Sequence, residues 1–110
     1  MERENIGELE ELVMLIAGWL HPEAYAVSIR KELLSKMDRK VVLSSVHTVL
    51  NRLEKKGYLS STFGESTPER GGKRKRCFTI TQAGYEALKS VHARREQLYA
   101  NFLNTNFNFN

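Results

Sequence analysis

The chain holds a single cysteine, Cys77, in 110 residues. One thiol cannot build a disulfide framework, and such frameworks belong to oxidising compartments. No apolar run approaches the roughly 18 residues that a bilayer-spanning helix needs. The opening Met1-Glu2-Arg3-Glu4 lacks the basic start and apolar centre of a secretion signal. The expected location is therefore the cytoplasm, with no membrane partner. Catalytic signatures are absent too. His21, His47 and His92 lie far apart with no metal-ligand spacing. Gly71-Gly72 leads into basic residues and not into a helix, so it is not a phosphate-cradling loop. The expectation is a protein that is not an enzyme and uses no cofactor or metal. Cys77, close to basic residues, has two readings: a plain strand cysteine or a redox-sensitive thiol.

What is present is an ordinary globular composition, 41% apolar and 27% charged, in a length that suits one core. The net charge of +4 conceals a strong asymmetry. Residues 1–11 carry five Glu and one Arg, whereas residues 69–76 carry Arg70, Lys73, Arg74, Lys75 and Arg76 against Glu69. A basic spot of that density attracts polyanions over a Debye length of about 8–10 Å. Taken alone, it is equally well a solvated loop.

Periodicity orders the chain. From Ile6, the apolar residues Leu9, Leu12, Val13, Ile16, Ala17 and Leu20 follow helical spacing, and His21-Pro22 ends the run. A second helix is predicted over 24–37, with Tyr25, Ile29 and Leu33 as its stripe and Val27 and Leu34 flanking. Val41-Val42-Leu43 reads as a minimal strand. Ser44 or Ser45 then caps a third helix from Val46 to Lys56, which Gly57 stops. Two strands are predicted at 58–63 and 76–81. Between them lies a hairpin tip, 64–75, that contains Pro68, Gly71-Gly72 and the basic cluster. Thr81 caps a last helix over 82–103, and the Asn- and Phe-rich tail 104–110 is expected to fray. The order defines an α+β fold, mainly α with a small β-hairpin. It comprises a winged helix-turn-helix over 1–81, a dimerisation helix over 82–103, and the tail.

The third helix has two chemically distinct faces. Val46, Val49, Leu50 and Leu53 form one; Ser44, Thr48, Asn51 and Lys55 lie nearly opposite, with His47 and Arg52 on the flanks and Glu54 the one carboxylate nearby. Asn51 suits a bidentate pair with adenine, which discriminates by about 1–3 kcal/mol; Thr48 suits a base edge, and Arg52 and Lys55 suit phosphates. A face that meets only water is the plainer reading of this helix alone. The basic hairpin tip shifts the balance, because a wing lies beside the recognition helix and two separate features then point to double-stranded DNA.

Several stretches carry a family resemblance. These are Gly7–Leu15, Ala24–Ile29, Val46–Tyr58 (VHTVLNRLEKKGY), Thr67–Arg76 (TPERGGKRKR) and Thr79–Gly84. In combination the chain resembles the PadR-type transcriptional regulators over roughly residues 7–90. The resemblance implies a dimeric winged helix that usually represses transcription. It places Ser44, Ser45, His47, Thr48, Asn51 and Arg52 on the segment that enters the major groove. Arg70, Lys73, Arg74 and Lys75 fall on the wing tip, and Arg76 on the returning strand. The chain departs from the family at His47, where many relatives carry Tyr, and in its short C-terminal helical region.

A homodimer reading a pseudo-palindrome is also the physical expectation for so small a domain. Leu88, Val91, Leu98 and Phe102 are the interface candidates, against the alternative that this stripe packs on its own domain. Trp19 and Tyr25 are left with two readings, plain core or the lining of an effector pocket between two copies. The competing function is a winged helix used for protein contact, with an acidic partner on the wing.

Overall fold

The computed structural model describes residues 6–66 and 74–109. The elements are α1 (Glu8–Trp19), α2 (Ala26–Met37), α3 (Leu43–Lys55), β1 (Leu59–Ser66), β2 (Arg74–Ile80) and α4 (Gln82–Leu103). The two strands form one antiparallel hairpin, in register from Leu59 opposite Ile80 to Phe63 opposite Arg76, with an irregularity between Phe63 and Ser66. The predicted α+β architecture is the one observed.

Helix α1 presents Val13, Met14, Ile16 and Ala17 to the core. Its first turn is acidic, as the helix dipole favours, and the Gly7 N–H donates to Glu10 Oε1 at 2.8 Å. Helix α2 starts at Ala26, two residues later than the periodicity predicted. Ala24 is drawn out of the helix because its carbonyl accepts the Phe78 N–H at 2.7 Å, tying this segment to β2. Ser28 Oγ then takes the Tyr25 N–H at 3.0 Å. The buried stripe is Ala26, Ile29 and Leu33, while Val27 and Leu34 are exposed. The helix closes on Asp38 in the left-handed region, φ 49°.

The predicted strand at 41–43 does not form. The hairpin has two strands only, so this β-branched run has no partner among the described residues. Val42 instead takes the extended N-cap position and Leu43 opens α3. Ser44 and Ser45 therefore lie inside the first turn and neither caps it. The α3 terminus behaves as predicted. Gly57 adopts φ 82°, its N–H bonds Glu54 O at 3.0 Å, and the Tyr58 N–H bonds Leu53 O at 3.0 Å. That pair of bonds closes a helix through a left-handed glycine.

The strands are shifted outward from their predicted bounds. Tyr58 precedes β1, Thr81 follows β2, and Arg74 and Lys75 belong to the strand and not to the loop. Backbone pairing carries the ladder out to Ser66 opposite Arg74, past the point where side-chain type marks a strand. Cys77 is half-buried and lies opposite Thr62.

Thr81 caps α4 as expected, its Oγ1 accepting the Gly84 N–H at 3.0 Å. Gly84 is needed there, since a Cβ would lie 2.3 Å from the Tyr58 carbonyl oxygen. Thr105 Oγ1 donates to Asn101 O at 2.9 Å, and Phe107 packs on Phe102 with ring centroids 5.5 Å apart. Aromatic packing at this spacing is favourable and holds the turn.

The core gathers Val13 and Met14 of α1, Ile29 and Leu33 of α2, and Val46, Leu50 and Leu53 of α3, with Leu59 and Phe78 from the hairpin closing one side. Ion pairs clamp the outside. Glu11 of α1 meets Arg95 of α4 at 2.6 Å, and Glu8 meets Arg39 at 2.7 Å. Among the described residues, no helix is long and apolar enough to cross a membrane.

Candidate nucleic-acid interface

The amphipathic split of α3 is realised as the sequence predicted. Val46, Val49, Leu50 and Leu53 are buried, and Ser44, His47, Thr48, Asn51, Arg52 and Lys55 are exposed, with Ser45 half-buried. Thr48, Asn51, Arg52 and Lys55 together line a shallow depression of about 300 Å³. Thr48 Oγ1 donates to Ser44 O at 3.0 Å, so its methyl group and oxygen lone pairs are what it presents outward.

The wing is joined to this face directly. Arg76 Nη1 donates to Asn51 Oδ1 at 3.2 Å. Arg76 Nε donates to Ser61 Oγ at 3.1 Å, and Arg76 Nη2 forms an ion pair with Glu54. Ser61 Oγ in turn donates to Glu54 Oε2 at 2.7 Å. Glu54, the one carboxylate near the polar face, is thereby neutralised by the base of the wing. The node also lies over Phe78, whose ring centroid is 4.9 Å from the Arg76 guanidinium carbon. The sequence alone gives Glu54 and Ser61 no part in the site. Arg76 is 22 residues from Glu54 and 15 from Ser61, and only the folded hairpin brings them together.

The remaining basic residues divide. Arg74 is exposed; its Nε donates to Gly64 O at 3.0 Å. With Arg76, His47 and Tyr25 it lines a crevice of about 290 Å³ between the hairpin and the start of α2. Lys75 turns to the segment before α2, with Glu23 at 3.9 Å and the Tyr25 ring centroid at 4.3 Å. Arg70 and Lys73 lie outside the described residues. Among the interface candidates on α4, Val91 is buried in its own domain and Leu88 packs against the core, whereas Leu98 and Phe102 are exposed.

Behind the recognition face, Glu10 of α1 holds the C-terminal end of α3. Lys56 Nζ donates to both of its carboxylate oxygens, at 3.0 and 3.1 Å, and Arg52 Nη1 is 3.9 Å away. Burial pushes the Glu10 carboxyl up. The Gly7 N–H, the Lys56 bond and the charges of Lys56 and Arg52 outweigh that burial and hold it below the usual carboxylate range. Trp19 and Tyr25 do not share a pocket. Tyr25 lies in the crevice beside the wing. Trp19, at the end of α1, lines a separate groove with Tyr85 and Leu88; it is exposed and not core. No group of three His, Cys, Asp or Glu among the described residues could hold a metal ion.

Three helices followed by an antiparallel hairpin whose base bonds to the third helix define a winged helix-turn-helix of the DNA-binding class. The chain matches the model of the transcriptional regulator PadR-like family over residues 17–90, and it belongs to that family. Among solved structures, a PadR-like transcription factor from Bacteroides fragilis is 26% identical with a TM-score of 0.72, over 86% of this chain and 85% of its own. A PadR family transcriptional regulator from Eggerthella lenta DSM 2243 is 27% identical with a TM-score of 0.66, over 90% and 88%. A PadR family transcription regulator from Clostridium difficile R20291 is 20% identical with a TM-score of 0.64, over 88% and 99%; at that identity the likeness is one of fold. No curated protein matches the sequence.

Proposed function

We propose that this PadR-family regulator is a sequence-specific repressor that acts in the cytoplasm and grips a pseudo-palindromic operator as a homodimer. In this reading α3 enters the major groove. Asn51, Thr48 and His47 face base edges, while Ser44, Ser45, Arg52 and Lys55 reach the backbone. The wing follows alongside with Arg74 and Lys75, and with Arg70 and Lys73 on its tip. Arg76 is a positioning residue that orients Asn51 and cancels the Glu54 charge.

The observation that carries the proposal is the bond from Arg76 to Asn51. It puts the polar face of α3 and the root of the cationic wing on one side of the molecule, as a common ligand requires. Two such domains related by a two-fold axis would address half-sites about one DNA turn apart. Asn51 keeps its amide N–H donors and a second lone pair on Oδ1, so a bidentate pair with adenine is compatible with the Arg76 bond.

The test is footprinting on the DNA upstream of the protein's own gene, followed by transcription from that promoter with and without the protein. A protected inverted repeat and reduced transcription are expected. Protection of all DNA alike, with no preferred site, would remove the operator-binding reading.

A further inference from the structure

The segment that follows α4 takes no part in the DNA face. From Gln97 to Asn110 no side chain is charged, in a chain that is 27% charged. Within that stretch, residues 106–109 read Asn-Phe-Asn-Phe. Strict alternation is the period of a strand and not of a helix. Extended backbone there puts Phe107 and Phe109 on one face and Asn106 and Asn108 on the other. The aromatic face already has a floor. Phe107 meets Phe102 of α4 at 5.5 Å, Phe102 stacks on Tyr99 at 5.9 Å, and Phe109 continues the column at 5.6 Å from Phe107. The end of α4 thus supplies the apolar layer that a short strand needs on one side. A ladder partner is what the chain itself does not supply. Among the described residues, none hydrogen-bonds the backbone or side chain of Asn106 or Asn108. Both are exposed, and Phe109 is 87% exposed.

The alternation is self-complementary. Two such segments, antiparallel about a two-fold axis at Asn108, set Phe107 of each opposite Phe109 of the other, and Asn108 opposite Asn108. Like meets like at each of these positions, and the aromatic faces of both strands lie on the same side. Aromatic pairs across neighbouring strands are favourable. Asn both donates and accepts, so identical amides can bond each other. Unpaired strand N–H and C=O groups are a template for another strand. An acidic or basic partner would find no opposite charge on residues 97–110, whereas a second copy brings the matching uncharged pattern.

We infer that the partner of this segment is the same segment of a second copy, added as an antiparallel strand so that two molecules join tail to tail. The inference goes beyond the operator reading, because it uses neither the α3 face nor the wing.

Cysteine pairing tests it in the full chain, on a Cys77→Ser background that leaves one introduced thiol per copy. Asn108→Cys places two thiols opposite each other across the axis, with the Cα atoms about 4.5–5.5 Å apart, within reach of a disulfide. Asn106→Cys lies four ladder positions from its counterpart, roughly 13 Å away, which is out of reach. In a glutathione redox buffer, Asn108→Cys should form covalent dimers about tenfold faster than Asn106→Cys, as non-reducing electrophoresis reads. Adding Phe107→Ser and Phe109→Ser to Asn108→Cys should abolish that advantage. These substitutions alter exposed side chains, and circular dichroism checks that the helices are kept. No covalent dimer at 108, equal rates at 106 and 108, or a fast rate at 108 that survives loss of both rings would each overturn the pairing.

Discussion

The Asn51 amide oxygen accepts a hydrogen bond from Arg76 Nη1 at 3.2 Å, and the same guanidinium is paired with Glu54 one helical turn along α3. The residue best suited to read a base is therefore held by Arg76 on the returning strand of the wing. Replacing Asn51 with Ala should weaken binding to the preferred site by about 1–3 kcal/mol and leave binding to unrelated duplex nearly unchanged. Competitive titration of the two DNAs checks this; equal loss on both would take Asn51 out of base reading.

Glu54→Gln tests the other arm of the node. The Glu54 and Arg76 side chains are about one-third exposed, so the ion pair adds little to stability, under about 1 kcal/mol. With the carboxylate gone, Arg76 is released toward phosphate, and the log–log salt dependence of nonspecific binding should steepen by about one unit. A slope that does not move would show that Arg76 remains out of reach of the duplex.

Neutralising Lys73, Arg74 and Lys75 together should weaken binding to every duplex. The salt dependence should flatten by about one unit for each phosphate that the wing no longer neutralises. Fluorescence anisotropy across a salt series reads the slope. If it is unaltered, the wing does not touch DNA.

Glu10 makes a prediction about pH. Its carboxyl is held below the usual carboxylate range, so its contribution to stability is complete above the unfolded-state value of about 4.3 and is lost as pH falls through the lower folded-state value. At pH 7, Glu10→Gln should cost about 1–3 kcal/mol, as loss of a charge-assisted hydrogen bond does. The gap between wild type and variant in urea unfolding should stay level down to about pH 5 and narrow below that. A gap independent of pH from about 7 to about 3 would mean that the Lys56 and Arg52 charges do not stabilise the ionised form.

Leu98 is exposed on the distal half of α4, and Leu98→Asp should favour monomers with little change in fold. Light scattering combined with circular dichroism separates the two effects. A dimer that persists would place the interface away from this part of the helix. Operator affinity should fall as dimerisation is lost, since one domain addresses only a half-site.

Periodicity and local chemistry were enough to find the helices, the Gly57 stop and the Thr81 cap, because each rests on neighbours within about four or five residues along the chain; the hairpin strands were marked by residue type alone. The two faces of α3 were legible for the same reason, since apolar positions at helical spacing leave the polar side no alternative but solvent or a ligand. Errors arose where a distant group intervened. Ala24 left its helix to bond Phe78, the run at 41–43 found no strand to pair with, and the ladder carried Arg74 and Lys75 out of the loop.

The site shows the same division. The inventory of polar and basic side chains is written in the amino-acid order. That Arg76 serves Asn51 and Glu54, that Glu10 braces the far end of α3, and that Trp19 opens onto a groove instead of filling the core are decided by the tertiary structure. Hydrogen bonds and ion pairs are satisfied by whichever group the fold delivers within about 3 Å, and separation along the chain carries no information about that distance.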